Sequence, residues 1–219
     1  MNLPTIIVNF KIYEQATGDS ALSLAKIHEK VAKETGASIG VAVSAMDLAK
    51  VCENVDIPVF AQHIDPVKYG SGTGKILPEQ VKDLGAYGTL LNHAEFQIGD
   101  DVLKASLERA REVGLYTVVC ANTPEAGAKI AGFGPDLIAV EPPELIGGDV
   151  SVSKAEPKIV EDTVSLCGDD KVLVGAGVKN GEDVKIALAL GAKGVLLASG
   201  VTKSDDPYAV LMDLVGGLS

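Results

Sequence analysis

Eight short aliphatic runs recur along the chain, each followed by a longer amphipathic stretch, and this alternation constrains the fold more than any other feature. The runs cover residues 5–10, 38–43, 59–62, 87–91, 115–120, 137–140, 172–174 and 195–197. A strand that is apolar at every position is buried on both faces, as in a parallel sheet covered by helices. Between the runs lie helix signals. Leu24, Ile27 and Val31 share one face at i, i+3, i+7 spacing, with Lys26, Glu29, Lys30 and Lys33 mostly elsewhere. Pro78, Pro124 and Pro207 suit first helical positions, the last two preceded by the N-caps Thr123 and Asp206. Ser153 and Glu156 have capping-box spacing, and Asn180 opens a helix whose apolar residues include Val184, Ile186, Leu188 and Leu190. Gly36, Gly85, Gly114 and Gly191 stand where helices end before the next strand. No linker or shift of composition divides the chain, so a single α/β domain over residues 1–219 is expected. An open doubly wound sheet and a closed (β/α)8 barrel, a TIM barrel with outer helices, both fit alternating elements, and the count of eight favours the barrel.

Composition removes several functional classes. The 30 Asp and Glu against 19 Lys and Arg give a net charge of −11, which repels a phosphate backbone. Aromatic residues are 4% with no Trp, too few for base-stacking platforms, so no nucleic-acid partner is expected. Cys52, Cys120 and Cys167 are dispersed in apolar runs without metal or disulfide spacing, which reads as buried thiols in a reducing compartment. No leader pattern or bilayer-length apolar stretch is legible, so the expectation is a cytoplasmic protein with no membrane partner.

Polar groups at the C-terminal ends of the expected strands are few: Asn9 and Lys11 after the first, His93 and Glu95 after the fourth, and Glu141 after the sixth. That end is where such barrels assemble active sites. After the last two strands come Gly175, Ala176, Gly177 and Val178, then Ala198, Ser199 and Gly200, small residues whose backbone N–H groups suit a phosphate cradle. Taken singly, each has an ordinary reading: a surface lysine, a loop histidine, a solvated carboxylate, a turn glycine. Their placement on separate strands is what joins them.

The segments Asn9-Phe10-Lys11, Asn92-His93-Ala94-Glu95 and Glu141-Pro142-Pro143-Glu144-Leu145-Ile146-Gly147 resemble the signature segments of triosephosphate isomerases, in particular the short archaeal form. The likeness extends over essentially the whole chain and includes the loop Tyr69-Gly70-Ser71-Gly72-Thr73-Gly74. It implies interconversion of dihydroxyacetone phosphate and D-glyceraldehyde 3-phosphate through an enediolate, in glycolysis and gluconeogenesis, with no cofactor and no metal. This family is itself the standard example of a glutamate base beside a neutral imidazole electrophile. By that resemblance Glu141 is the carbon base, His93 the electrophile, and Lys11 the fixed cation beside substrate. Asn9, Glu95 and Thr73 are supporting residues, Glu95 as the partner of Lys11. Phosphate is expected at Asn9, Lys11, Ile146, Gly147, Gly175, Ala176, Gly177, Ala198, Ser199 and Gly200, with residues 142–148 forming a lid. The resemblance also implies a homodimer or homotetramer in which Thr73 of the Gly-rich loop 65–76 approaches Lys11 and Glu95 of a neighbouring subunit.

The chain departs from the family pattern at three places. Gly148-Asp149 follows Ile146-Gly147 where the pattern continues Thr-Gly, Gly177 stands where a serine is common, and Ala94 follows the histidine in place of serine. Two other readings remain open on sequence alone. One is a phosphate-binding lyase or epimerase recruiting Ser44, Gln62, His63 and Asp65, and the other is a non-catalytic phosphate sensor. At about 27 residues per strand–helix unit, the 219-residue barrel is trimmed below the ~250-residue norm.

Overall fold

The computed structural model describes residues 1–142, 145, 151–168 and 170–218. The lid residues expected to bind phosphate, Ile146 and Gly147, and the departure at Gly148-Asp149 lie outside the described residues. Among those described, eight strands pair in parallel in chain order: β1 (Thr5–Asn9), β2 (Ser38–Val43), β3 (Val59–Ala61), β4 (Gly88–Leu91), β5 (Tyr116–Ala121), β6 (Leu137–Val140), β7 (Val172–Gly175) and β8 (Gly194–Leu197). The sheet closes where β1 meets β8, with Thr5 opposite Gly194 and Val8 opposite Leu197. Of the two architectures that alternation allowed, the chain adopts the closed (β/α)8 barrel. Around it run α1 (Asp19–Thr35), α2 (Leu48–Cys52), α3 (Pro78–Asp83), α4 (Asp100–Val113), α5 (Pro124–Ala131), α6 (Val152–Ala155), α7 (Pro157–Cys167), α8 (Gly181–Ala189), α9 (Ser199–Thr202) and α10 (Pro207–Gly216). The trimming falls on the outer layer, where α2 has 5 residues and α3 has 6.

The apolar runs are continuous because each strand feeds two cores. Ile7, Ala42, Phe60, Leu90, Val118, Leu137, Leu173 and Leu196 point inward and fill the barrel. Their neighbours, including Ile6, Val8, Val41, Val119 and Val174, pack outward beneath the helices. Side chains alternate across a strand, so both sets must be apolar. Phe60 is fully buried in the inner set, and a Cβ at Gly88 would fall 2.9 Å from its ring, so that glycine is a condition of closure.

Helix ends follow the sequence signals with one exception. Thr123, Asn180 and Asp206 accept hydrogen bonds from the backbone N–H of Ala126, Asp183 and Ala209. Gly36 and Gly114 are left-handed C-caps. The expected capping box at Ser153 and Glu156 does not form: Ser153 lies inside α6, and Glu156 is the joint between α6 and α7. Pro157 is the cause, because the residue before a proline is driven out of helical conformation, and Glu156 sits at φ −142° and ψ 64°. Cys120 and Cys167 are buried as expected, whereas Cys52 is half-exposed. Among the described residues, no helix is long and apolar enough to cross a membrane.

Candidate active site

The C-terminal ends of β1, β4, β6, β7 and β8 enclose a cleft of about 500 Å³, solvent space included, into which Asn9, Lys11, His93 and Glu141 project. Its far wall is residues 176–179 and 197–200. The sequence-predicted side chains thus meet at one mouth.

Each is held by its neighbours. The Asn9 side-chain oxygen accepts the Lys11 backbone N–H at 3.0 Å and the Gln62 amide at 3.2 Å. With that oxygen satisfied by scaffold, the Asn9 amide donors are what remains for a ligand. Gln62 also donates to the Lys11 carbonyl at 2.9 Å, so it fixes the chain as it leaves β1. The Lys11 ammonium meets Glu95 Oε1 at 2.7 Å, with the lysine side chain 9% exposed and the glutamate 59% exposed. A buried cation is thereby tied to a carboxylate at the rim.

His93 is 9% exposed, and its Nδ1 accepts the Glu95 backbone N–H at 3.1 Å. An accepting Nδ1 places the ring proton on Nε2. Nε2 lies 3.6 Å from Glu141 Oε2, and that oxygen is buried without a hydrogen-bond partner among the described residues. The fully buried Cys120 thiol also acts on this carboxylate, favouring its charged form. Burial pushes the Glu141 carboxyl above the ordinary range, partly offset by His93, Cys120 and Lys11. Burial, then the glutamate charge, drives the Cys120 thiol well upward, so it stays protonated and a donor.

The far wall is backbone. No hydrogen bond within the described residues takes the N–H groups of Gly177, Val178, Ser199 or Gly200, and all four residues line the cleft. Unpaired N–H groups on converging turns form an anion-binding concavity. Gly175 is not part of this wall. It ends β7 behind Glu141, where a Cβ would land inside the glutamate side chain. Its lack of a side chain is therefore what admits the carboxylate.

Lys11 (φ 49°), Asn92 (φ 59°) and Ala176 (φ 67°) are the non-glycine residues with positive φ among those described, and they follow the ends of β1, β4 and β7 at this mouth. Strain gathers at functional sites where the surroundings over-determine it. Asn92 donates to the Cys120 carbonyl at 3.0 Å and accepts from Ile98 N–H at 3.0 Å, which holds the turn presenting His93. Tyr13 also lines the cleft, and sequence reading singled out neither it nor Cys120, which acts on Glu141, and named Gln62 only in an alternative. An apolar-run cysteine and a post-strand tyrosine carry no local signal.

Thr73 is exposed at the tip of loop 65–76. The base of that loop is closed by Asp65 N–H to the Ile76 carbonyl at 2.9 Å and Ile76 N–H to Asp65 Oδ2 at 2.8 Å. Asp65 thus binds its own loop and Lys75 at 2.9 Å, with His63 Nε2 farther off at 3.7 Å, and among the described residues no group of three His, Cys, Asp or Glu is arranged to hold a metal. The epimerase alternative built on His63 and Asp65 gains no support from this arrangement.

Fold and site together define a (β/α)8-barrel enzyme whose cleft is shared by a buried carboxylate, a buried imidazole and backbone N–H groups unpaired among the described residues. Residues 4–215 match the family model of triosephosphate isomerase. Relatives bearing that name include those of Methanoculleus marisnigri (49% identical, covering 98% of this chain and 99% of the relative), Methanobacterium bryantii (48%; 97% and 96%) and Methanocaldococcus jannaschii (48%; 96% and 98%). The chain belongs to the triosephosphate isomerase family and is an isomerase.

Proposed function

We propose that this chain interconverts dihydroxyacetone phosphate and D-glyceraldehyde 3-phosphate with Glu141 as carbon base. The observation that carries this is the buried Glu141 carboxylate 3.6 Å from an imidazole Nε2 whose proton is fixed by the Glu95 N–H on the opposite nitrogen. Glu141 removes a proton from C1 of the ketone. Electrons flow to the carbonyl oxygen, and the enediolate charge forms where His93 Nε2–H and the Lys11 ammonium donate. His93 gives its proton to that oxygen and takes one from the adjacent hydroxyl. The Glu141 carboxyl then returns a proton to C2, leaving the aldehyde. A carboxyl raised by burial is a stronger base than a solvated one. The substrate phosphate accepts from the backbone N–H groups of Gly177, Val178, Ser199 and Gly200, near Lys11 and the Asn9 amide.

The molecule acts as a homo-oligomer. Ile12 (82% exposed) and Phe96 (60%) leave large apolar side chains exposed beside the mouth, in a cleft shared with Lys11, His63, His93 and Glu95. The tip of loop 65–76, with Tyr69 71% exposed, is the complementary projection on a second copy. A cytoplasmic location fits this substrate.

A coupled assay on triose phosphate with chelator present tests the activity: turnover is expected, and its absence from folded protein overturns the reading. Light scattering at assay concentration tests assembly, with a mass above 22.6 kDa expected.

A further inference from the structure

The strained turn after β7 raises the question of what holds it. Ala176 and Gly177 stand consecutively at φ 67° and φ 70°. The left-handed region costs an L-residue such as Ala roughly 1–2 kcal/mol. Val152 N–H reaches the Ala176 carbonyl only at 3.4 Å, too long to hold such a turn alone. The stronger restraint is Asp183. Its Oδ2 accepts the Lys179 backbone N–H at 2.9 Å. Its Oδ1 accepts from the Lys154 ammonium at 2.7 Å and the Ser151 hydroxyl at 3.1 Å. Its own N–H is taken by Asn180 Oδ1 at 3.0 Å.

Asp183 is 3% exposed and does not line the cleft. Burial pushes its carboxyl up, but the bonds from Lys154, Lys179 N–H and Ser151 outweigh that and hold it below the ordinary value. A buried charge with this many donors is there to fix geometry. Three donors on two oxygens also require a carboxylate, because an asparagine offers one oxygen and turns an NH2 toward a donor. By taking the Lys179 N–H, Asp183 sets the plane of the peptide between Val178 and Lys179. That leaves the Gly177 and Val178 N–H groups as the donors free for the cleft.

We infer that Asp183 is the positioning residue of the phosphate turn, acting through Lys179 and anchored to α6 by Ser151 and Lys154. The inference rests on the reading that this turn receives the substrate phosphate. It predicts that binding suffers while the proton-transfer groups do not.

The test compares wild type, Asp183→Ala, Asp183→Asn and Lys154→Met, with Val160→Ala as a core variant that lowers melting temperature away from the turn. Inorganic phosphate affinity, KM, kcat and melting temperature are measured on each. Losing one charged hydrogen bond to the turn is expected to weaken phosphate and raise KM together by roughly tenfold in Asp183→Ala, with kcat within about threefold. Asp183→Asn is expected to move both in the same direction by less. Lys154→Met moves them about twofold, which keeps the inference testable if Asp183→Ala does not fold. Val160→Ala melts lower with unchanged phosphate affinity. Wild-type phosphate affinity and KM in the foldable Asp183 and Lys154 variants, with only the melting temperature lowered, overturns the inference. Failure of wild type itself to bind inorganic phosphate overturns the reading beneath it instead.

Discussion

The two walls of the active-site mouth are built from different material. On the side of β1, β4 and β6, side chains do the work: Lys11 at 2.7 Å from Glu95, His93 held by the Glu95 N–H, and Glu141 buried behind them. On the side of β7 and β8, the backbone N–H groups of Gly177, Val178, Ser199 and Gly200, unpaired among the described residues, line the same cleft. The contrast teaches that the first wall depends on which residue is present, whereas the second depends on which conformation the chain holds.

The largest effect should follow from changing identity on the first wall. Glu141→Gln keeps shape and removes the proposed base, so kcat should fall by about 10²–10⁴ with phosphate affinity retained, measured by steady-state assay and phosphate titration. Because burial raises this carboxyl, its charged form opposes folding at neutral pH, and the same variant should melt higher than wild type. Gly175→Ala links the walls. A Cβ there displaces the glutamate, so kcat should drop by roughly 10²-fold although no proton donor or acceptor has changed. A Gly175→Ala enzyme with normal kcat would break the assignment of that glycine to the base.

Away from both walls, His28 is fully buried against Phe10, with its Nε2 unpartnered among the described residues. Burial holds its pKa down at about 4. The unfolded chain therefore takes up this proton first, and stability is lost as pH falls from about 6.5 toward 4, by about 3 kcal/mol in all. His28→Phe should flatten that limb of a denaturation series, and an unchanged slope would contradict it.

The smallest effect belongs to the second wall. Ala176→Gly removes a methyl from a left-handed position and should stabilise by about 0.5–1 kcal/mol, with KM within about twofold. A large KM change would mean that residue identity governs this wall as well.

The two walls also differed in how far they could be read in advance. Lys11, His93 and Glu141 announced themselves because strand ends in a barrel put side chains at one mouth, and their residue types are reactive. The barrel was legible through paired inward and outward apolar sets such as Ile7 beside Ile6 and Val8. The strain at Ala176 and Asn92 was hidden, since backbone dihedrals are imposed by tertiary partners such as Cys120 and Ile98. Gly175 was assigned to phosphate on local pattern, and only the fold brings Glu141 across from β6 to occupy the space beside it. The capping box at Ser153 was a local reading overridden by Pro157, a residue in plain view whose effect on Glu156 outweighed the spacing.

The central claim, that Glu141 moves the carbon-bound proton, is tested most directly by deuterium entry from D2O into the triose phosphate carbon skeleton. Wild type should incorporate label, and Glu141→Gln, still saturable with inorganic phosphate, should incorporate almost none. Label entering the variant's substrate at the wild-type rate would contradict the account.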